Sequence, residues 1–153
     1  MQKYVVGFCF SKDHSHVAIM LKNRPEFQAG LHNGLGGKVE EGEKPKHAMS
    51  REFEEETGVC ILSNSWLPVD VKTDNETYYI DVFYARTDVV YECHTVEDEE
   101  VIIARVDEID NYEFFDDAKE IIKRLDKTFA WHNASESVTI QPTNWINPYK
   151  ECT

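Results

Sequence analysis

The stretch from Gly36 to Val59, GGKVEEGEKPKHAMSREFEEETGV, leaves little choice of local structure. Two adjacent glycines open it, where the chain must turn or run close against other backbone. Pro45 suits the first turn of a helix, where its missing N–H is no loss, and the helix then runs to about Thr57. Gly58 stands where a left-handed C-terminal cap belongs. Residues three and four apart share a helix face, so Glu52, Glu55 and Glu56 project together, while Met49 and Phe53 point elsewhere, toward a core. Like charges at that spacing cost about a few tenths of a kcal/mol per pair. A hard divalent cation reverses the sign, because Mg²⁺ and Mn²⁺ favour oxygen ligands, a few carboxylates with water. Arg51, next to Glu52 and four residues before Glu55, is placed to orient one of these carboxylates. The competing reading is a solvated acidic face that grips nothing.

The rest of the chain sorts into strands and one further helix. YVVGFCF (Tyr4 to Phe10) and HVAIMLK (His16 to Lys22) are β-rich runs separated by the polar SKDHS, a hairpin pattern. Asn23 to Gly37, with a proline and several glycines, is expected to be loop with at most a short strand. Downstream, ILSNSWLPVDVKT and ETYYIDVFYART read as two strands around a turn at Asp74-Asn75, YECHTVEDEE as an acidic loop, and VIIARVDEI as another strand. Over Asp116 to Phe129 the period becomes helical, with Ala118, Ile121, Ile122, Leu125 and Phe129 on one face. The order β-β-(β)-α-β-β-β-α predicts an α/β fold, a three-layer α/β/α sandwich on a mixed β-sheet.

At 153 residues the chain fits a single domain, 1–153, and the Asn/Ser/Pro-containing tail from about Trp131 is its one compositional shift, a packing or dimer extension. The formal charge of −13 argues against broad nucleic-acid binding. It also means that an anionic substrate is repelled unless metal ions bridge it to the protein. No apolar run approaches the roughly 20 residues of a membrane span. The N-terminus MQKYVVGFCFSKD reads as a strand and not a signal peptide. Cys9, Cys60, Cys93 and Cys152 are scattered without a CxxC pair, so reduced thiols in a cytoplasm are expected, neither zinc site nor disulfide framework.

The register Gly37-x5-Glu43-x7-Arg51-Glu52-Phe53-x-Glu55-Glu56-x-Gly58-Val59 resembles the Nudix box at every specified position. The pre-box run KNRPEFQAGLHNGLGG is similar to that of small Nudix hydrolases of large tailed bacteriophages, which implies a host cytoplasm. The resemblance implies a Nudix-type sandwich and hydrolysis of a nucleoside diphosphate linked to another moiety, such as ADP-ribose, FAD, NADH or a diadenosine polyphosphate, with Mg²⁺ or Mn²⁺ as cofactor. By motif position it implies Glu52, Glu55 and Glu56 as metal ligands, with the Gly36 carbonyl beside them. Glu52 is the in-box candidate for general base. Other members use a loop glutamate, and among Glu97, Asp98, Glu99 and Glu100 the resemblance puts Glu97 first and Glu100 second, each also a candidate metal ligand. Glu43 and Arg51 take supporting roles, and Gly37 and Gly58 are structural.

Substrate contacts are less marked. Lys38 and Arg24 are candidates to meet phosphate or ribose, and Phe27, Trp131, Trp145 and Tyr149 to stack on a base. Tyr78 and Tyr79 fall near where diadenosine polyphosphate enzymes carry a tyrosine, and Pro68 comes too early for the proline of ADP-ribose enzymes. His32 is the histidine to watch. The rival readings are removal of a nucleotide cap from RNA, an isomerase of isopentenyl diphosphate, and a non-catalytic nucleotide sensor. The last two typically lose box residues that this chain keeps. The expected partners are a small nucleotide, no membrane, no nucleic acid beyond a capped RNA end, and a second copy in a homodimer.

Overall fold

The computed structural model describes residues 1–135, so Trp145, Tyr149, Cys152 and most of the tail extension lie outside the described residues. Its strands are β1 (Gln2–Phe10), β2 (His16–Leu21), β3 (His32–Asn33), β4 (Leu35–Lys38), β5 (Leu67–Thr73), β6 (Tyr78–Arg86) and β7 (Glu100–Arg105), with helices α1 (Pro45–Thr57) and α2 (Ala118–Ser135).

The seven strands form one mixed sheet with β1 at its centre. β1 pairs in parallel with β6 along its whole length, antiparallel with β4 over Tyr4–Gly7, and antiparallel with β2 at Phe10↔Val17. β2 continues the sheet through β7, and among the described residues β5 pairs only with β6, leaving it a border strand. The register of that border pair shifts between Pro68 and Asp70, and Leu67 and Val71 are exposed on it.

Strand alternation puts a core on each face of the sheet. Val5 and Cys9 of β1 and Ala18 and Met20 of β2 pack with Ala48, Met49 and Phe53 of α1 and with Trp66. Phe8 and Phe10 of β1 and Val17 and Ile19 of β2 pack with Ala118, Ile121 and Ile122 of α2. Both faces are covered, which is why the central strands are apolar throughout and do not alternate with polar residues. Gly7 lets α1 approach closely: a Cβ there would lie 2.8 Å from Met49 and Trp66. Phe53 is fully buried, worth about 1.5–3 kcal/mol relative to exposure.

Helix α1 has the expected bounds. Gly58 is left-handed at φ +78° and its N–H donates to the Glu54 carbonyl at 2.9 Å. Three expected elements differ. The second helix starts at Ala118, two residues later than its period suggested, because Asp116 has φ +52° and cannot be helical. The strand expected from Ile61 begins only at Leu67: Ser63–Ser65 is a 3-10 turn that folds Ile61, Leu62 and Trp66 under α1. The last strand ends at Arg105 and its VDEI continues as a 3-10 turn over Val106–Asn111. Cys9 and Cys93 are buried free thiols, whereas Cys60 is in a disulfide, which corrects the expectation of reduced thiols throughout. Among the described residues no helix is long and apolar enough to cross a membrane.

Candidate active site

The glycine pair of β4 lies directly under α1, and the contact explains both glycines. A Cβ on Gly36 would fall 1.9 Å from the Val5 carbonyl oxygen across the β1–β4 ladder, so only glycine fits this pairing. A Cβ on Gly37 would fall 2.6 Å from the Glu52 carboxylate. The Gly36 N–H donates to Glu56 Oε1 at 3.0 Å. Two box glutamates are thereby seated against the backbone of two adjacent glycines.

Arg51 organises the rest of the cluster. Its Nε and Nη2 make a two-pronged contact with Glu43, at 2.8 and 2.9 Å. Nη1 donates to Glu52 Oε1 at 2.9 Å and reaches Glu55 at 3.3 Å, and Nη2 also donates to the Lys38 carbonyl at 2.9 Å. The Glu43 contact is joined by a hydrogen bond from the Glu40 amide at 3.0 Å. It holds the Glu43 carboxyl below its ordinary range, chiefly through the Arg51 hydrogen bond.

The three helix glutamates are not equivalent. Glu55 is half exposed, Glu52 mostly covered, and Glu56 only 5% exposed. Burial pushes the Glu56 carboxyl up to about 8, with the charges of Glu52 and Glu97 adding to the effect and Lys22 and the Gly36 amide opposing it. Burial likewise raises Glu52, against the pull of Arg51 and with the Glu55 and Glu97 charges adding. Glu97, exposed on its loop, therefore stands close enough for both helix glutamates to feel its charge. Glu100 is drawn into β7 opposite Leu21 and is exposed.

Among the described residues no three His, Cys, Asp or Glu groups converge as a ready metal cage. The reason is visible in the contacts: Arg51 draws Glu52 and Glu55 to itself, and the Gly36 amide holds Glu56. The donor set nevertheless suits a hard divalent cation. It consists of carboxylate oxygens, two of them pushed toward the neutral form by burial and mutual repulsion, the condition that a bound cation relieves.

On the other side of the glycine pair opens a cavity of about 780 Å³. Gly36 and Gly37 form part of its wall, and so do Arg24, Phe27, Lys38 and Tyr78. Two of these are engaged: Arg24 grips Asp98 through both guanidinium nitrogens, at 2.8 and 2.7 Å, and the Phe27 ring tilts against Phe115 at 5.5 Å, though Phe27 remains 69% exposed. Tyr79 is on the opposite face of β6 from Tyr78 and is not in the wall. His32 is tied to the Glu113 carbonyl and set edge-on to Tyr112, and Trp131 is exposed on α2, so neither reaches the cavity.

Sequence reasoning missed the residues that close the cavity's other end. Lys72 of β5 donates to both Asp116 and Asp117 at 2.5 Å, and all three line it together with Asn33 and Phe115. Only the turn at Asp116, unusual for a non-glycine residue, sets these acids beside β5, and no local pattern announces it. Buried Glu99 was passed over for a different reason: in VEDEE it reads like its neighbours.

The NUDIX domain matches residues 1–133 of this chain. No curated protein matches it in sequence. Among solved structures, a MutT from work on the Aliivibrio salmonicida and Vibrio cholerae proteins is 25% identical, with a TM-score of 0.67, over 84% of this chain and 98% of its own. The NUDIX domain of Shewanella oneidensis NrtR, solved with ADP ribose, is 13% identical with a TM-score of 0.64 over 83% of this chain and 87% of its own. The bifunctional NMN adenylyltransferase/ADP ribose pyrophosphatase of Francisella tularensis, solved with AMP and a manganese ion, is 18% identical with a TM-score of 0.67, over 83% of this chain and 41% of its own.

Proposed function

The chain belongs to the NUDIX family and is a hydrolase of phosphorus-containing anhydrides, and from that premise we propose that its substrate is a nucleoside diphosphate linked to a second moiety, ADP-ribose before FAD, NADH or a diadenosine polyphosphate. One observation carries the reading: the Gly36–Gly37 backbone is at once the wall of a nucleoside-sized cavity and the seat of Glu56 and Glu52. A nucleotide whose base and ribose occupy the cavity has its phosphates led past that wall to the carboxylates. The ADP ribose held by the Shewanella domain and the AMP held by the Francisella enzyme support placing an adenine nucleotide first.

A divalent ion, Mg²⁺ or Mn²⁺, would be held by Glu52 and Glu56, with Glu55, Glu97, Glu100 and the Gly36 carbonyl as further oxygen donors, and when bound it supplies charge neutralisation of the pyrophosphate and a more acidic water. The chain's own residues do the remainder. Arg51 holds Glu52 by one oxygen and leaves the other free. Glu52 or Glu97 accepts the proton of the attacking water as its oxygen bonds to phosphorus. The bridging P–O bond breaks, releasing a nucleoside monophosphate and the phosphorylated second moiety. Lys38, exposed at the cavity wall, offers positive charge to the departing phosphate.

The test is a panel assay. Purified protein with Mg²⁺ or Mn²⁺ and separate nucleoside diphosphate derivatives, including a capped RNA, is expected to yield AMP and ribose phosphate from ADP-ribose at the highest kcat/KM. Cleavage of the RNA cap alone, or binding of nucleotides without any turnover, overturns the reading.

A further inference from the structure

The end of the β2–β7 ladder, where Leu21 pairs with Glu100, releases two loops side by side. One continues from β2 as Lys22, Asn23 and Arg24 into the cavity rim, and Lys22, Arg24, Phe27 and Gln28 all line the cavity. The other arrives at β7 through Glu97, Asp98 and Glu99. Their junction is a dense polar clamp. Glu99, 7% exposed, accepts hydrogen bonds from Lys22 Nζ at 2.9 Å, the Asn23 amide at 2.6 Å and the Arg24 amide at 3.3 Å. Asp98 takes both prongs of the Arg24 guanidinium, and its carbonyl accepts from the Asn23 side chain at 3.2 Å. Burial alone would raise the Glu99 carboxyl, but the Asn23 amide and the Lys22 ammonium outweigh it and hold it below the ordinary range. A buried carboxylate with three donors is fixed in place, and removing it strands those donors.

Beyond the Leu21↔Glu100 end of the ladder, the clamp ties together two parts of the site. On one side is the rim that a nucleoside must touch. On the other, two residues before Glu99, is Glu97, whose neighbour Val96 donates its N–H to the Glu56 carbonyl at 3.4 Å.

We propose that Glu99, assisted by Asp98, is a positioning residue that locks the cavity rim to the acidic loop, so that a nucleotide seated on the rim fixes Glu97 beside Glu52 and Glu56. The kinetic consequence of this rests on the pyrophosphatase reading above, but the mechanical coupling does not. Asp98 and Glu99 thus take different duties from Glu97 despite identical chemistry in the sequence.

Hydrogen–deuterium exchange tests the coupling without turnover, using the full chain with ADP-ribose in EDTA. In the wild type, ADP-ribose is expected to slow exchange of residues 22–28 and of residues 94–99 together. In Glu99→Ala it is expected to slow only 22–28, and ligand-free exchange of both loops rises by about tenfold, as for a local opening that no longer breaks the clamp. Glu99→Gln, which keeps an oxygen for the Asn23 and Arg24 amides, restores part of the coupling. Asp98→Ala, at an exposed position, shows a weaker form of the defect and carries the test if Glu99→Ala does not fold. Protection of 22–28 without 94–99 in the wild type, or joint protection undiminished in Glu99→Ala and Asp98→Ala, overturns the inference alone. Protection of neither loop overturns it together with the cavity as nucleotide site.

A kinetic cycle completes the test. Glu97→Gln and Glu99→Ala are each expected to lower kcat more than they raise KM, and the double variant to be no slower than the worse single one within about twofold. Multiplicative losses, or a wild-type rate in Glu97→Gln, overturn the positioning role.

Discussion

Two acidic groups flank the same cavity and are solved in opposite ways. At one end Asp116 and Asp117, both about half exposed, share the ammonium of Lys72, whose own partners outweigh burial and hold it protonated above its ordinary range. Across its glycine wall Glu52 and Glu56 are more deeply covered; Arg51 beside Glu52 is divided among Glu43, Glu52 and Glu55, and Lys22, the cation that Glu56 feels, is tied to Glu99. The first group is electrostatically complete within the chain. The second is not: Glu56 leans toward its neutral form. Carboxylates kept buried and under-compensated are a poor arrangement for stability and a good one for a site that awaits positive charge.

The comparison breaks most visibly under substitution of the incomplete group. Glu52→Gln or Glu56→Gln is expected to lower kcat for ADP-ribose by about a hundredfold or more while Tm holds or rises, because an amide is buried at lower cost than a carboxyl group that burial pushes toward its neutral form. A loss of activity that tracks a loss of fold in thermal melts would remove the distinction. Next in size is Arg51→Gln, which strands Glu43 and Glu52: about a 10- to 100-fold loss in activity, accompanied here by a lower Tm.

A pH titration sharpens the contrast further. Glu56 is raised from 4.5 to about 8, so the folded protein binds that proton more tightly than the unfolded chain. Its contribution to stability is complete below about pH 4.5 and is lost as pH rises through 8. Glu43 and Glu99 are held below the ordinary carboxylate range and act on the acid side of this window, whereas His14, held down by burial from 6.5 to about 4, opposes Glu56 only below about pH 6.5. Metal-free protein should therefore melt lower at pH 8.5 than at pH 5.5, by at least about 2–4 °C, the shift given by 1 kcal/mol in a chain of this size. Glu56→Gln should flatten the slope, and a slope unchanged in that variant contradicts the assignment. The smallest effect belongs to the complete group: Lys72→Met is expected to cost under about 1 kcal/mol in denaturant titration.

The same two regions show what a sequence makes legible. α1 could be placed to the residue, because Pro45, Gly58 and the Met49–Phe53 spacing are local signals that agree with one another. The glutamate face was readable for the same reason. The opposite end of the cavity was not, since Lys72 meets Asp116 and Asp117 across more than forty positions, through a strand register and a left-handed aspartate that no neighbouring residue predicts. Glu99 differs from Glu97 only by which way the chain faces on entering β7, and that depends on the Leu21↔Glu100 pairing far away in sequence. The short β4 was masked by its glycines, which read as loop although they are required by the close approach of β1.

Pro68 has a consequence for how these molecules meet one another. It sits where the outermost strand slips register, next to solvent-facing Leu67 and near Val71. A ring nitrogen donates nothing, and the slip interrupts the row of amides that an incoming strand would need. The greasy border is thus a poor seed for strand-by-strand polymerisation, a safeguard for a chain that presents apolar side chains along it.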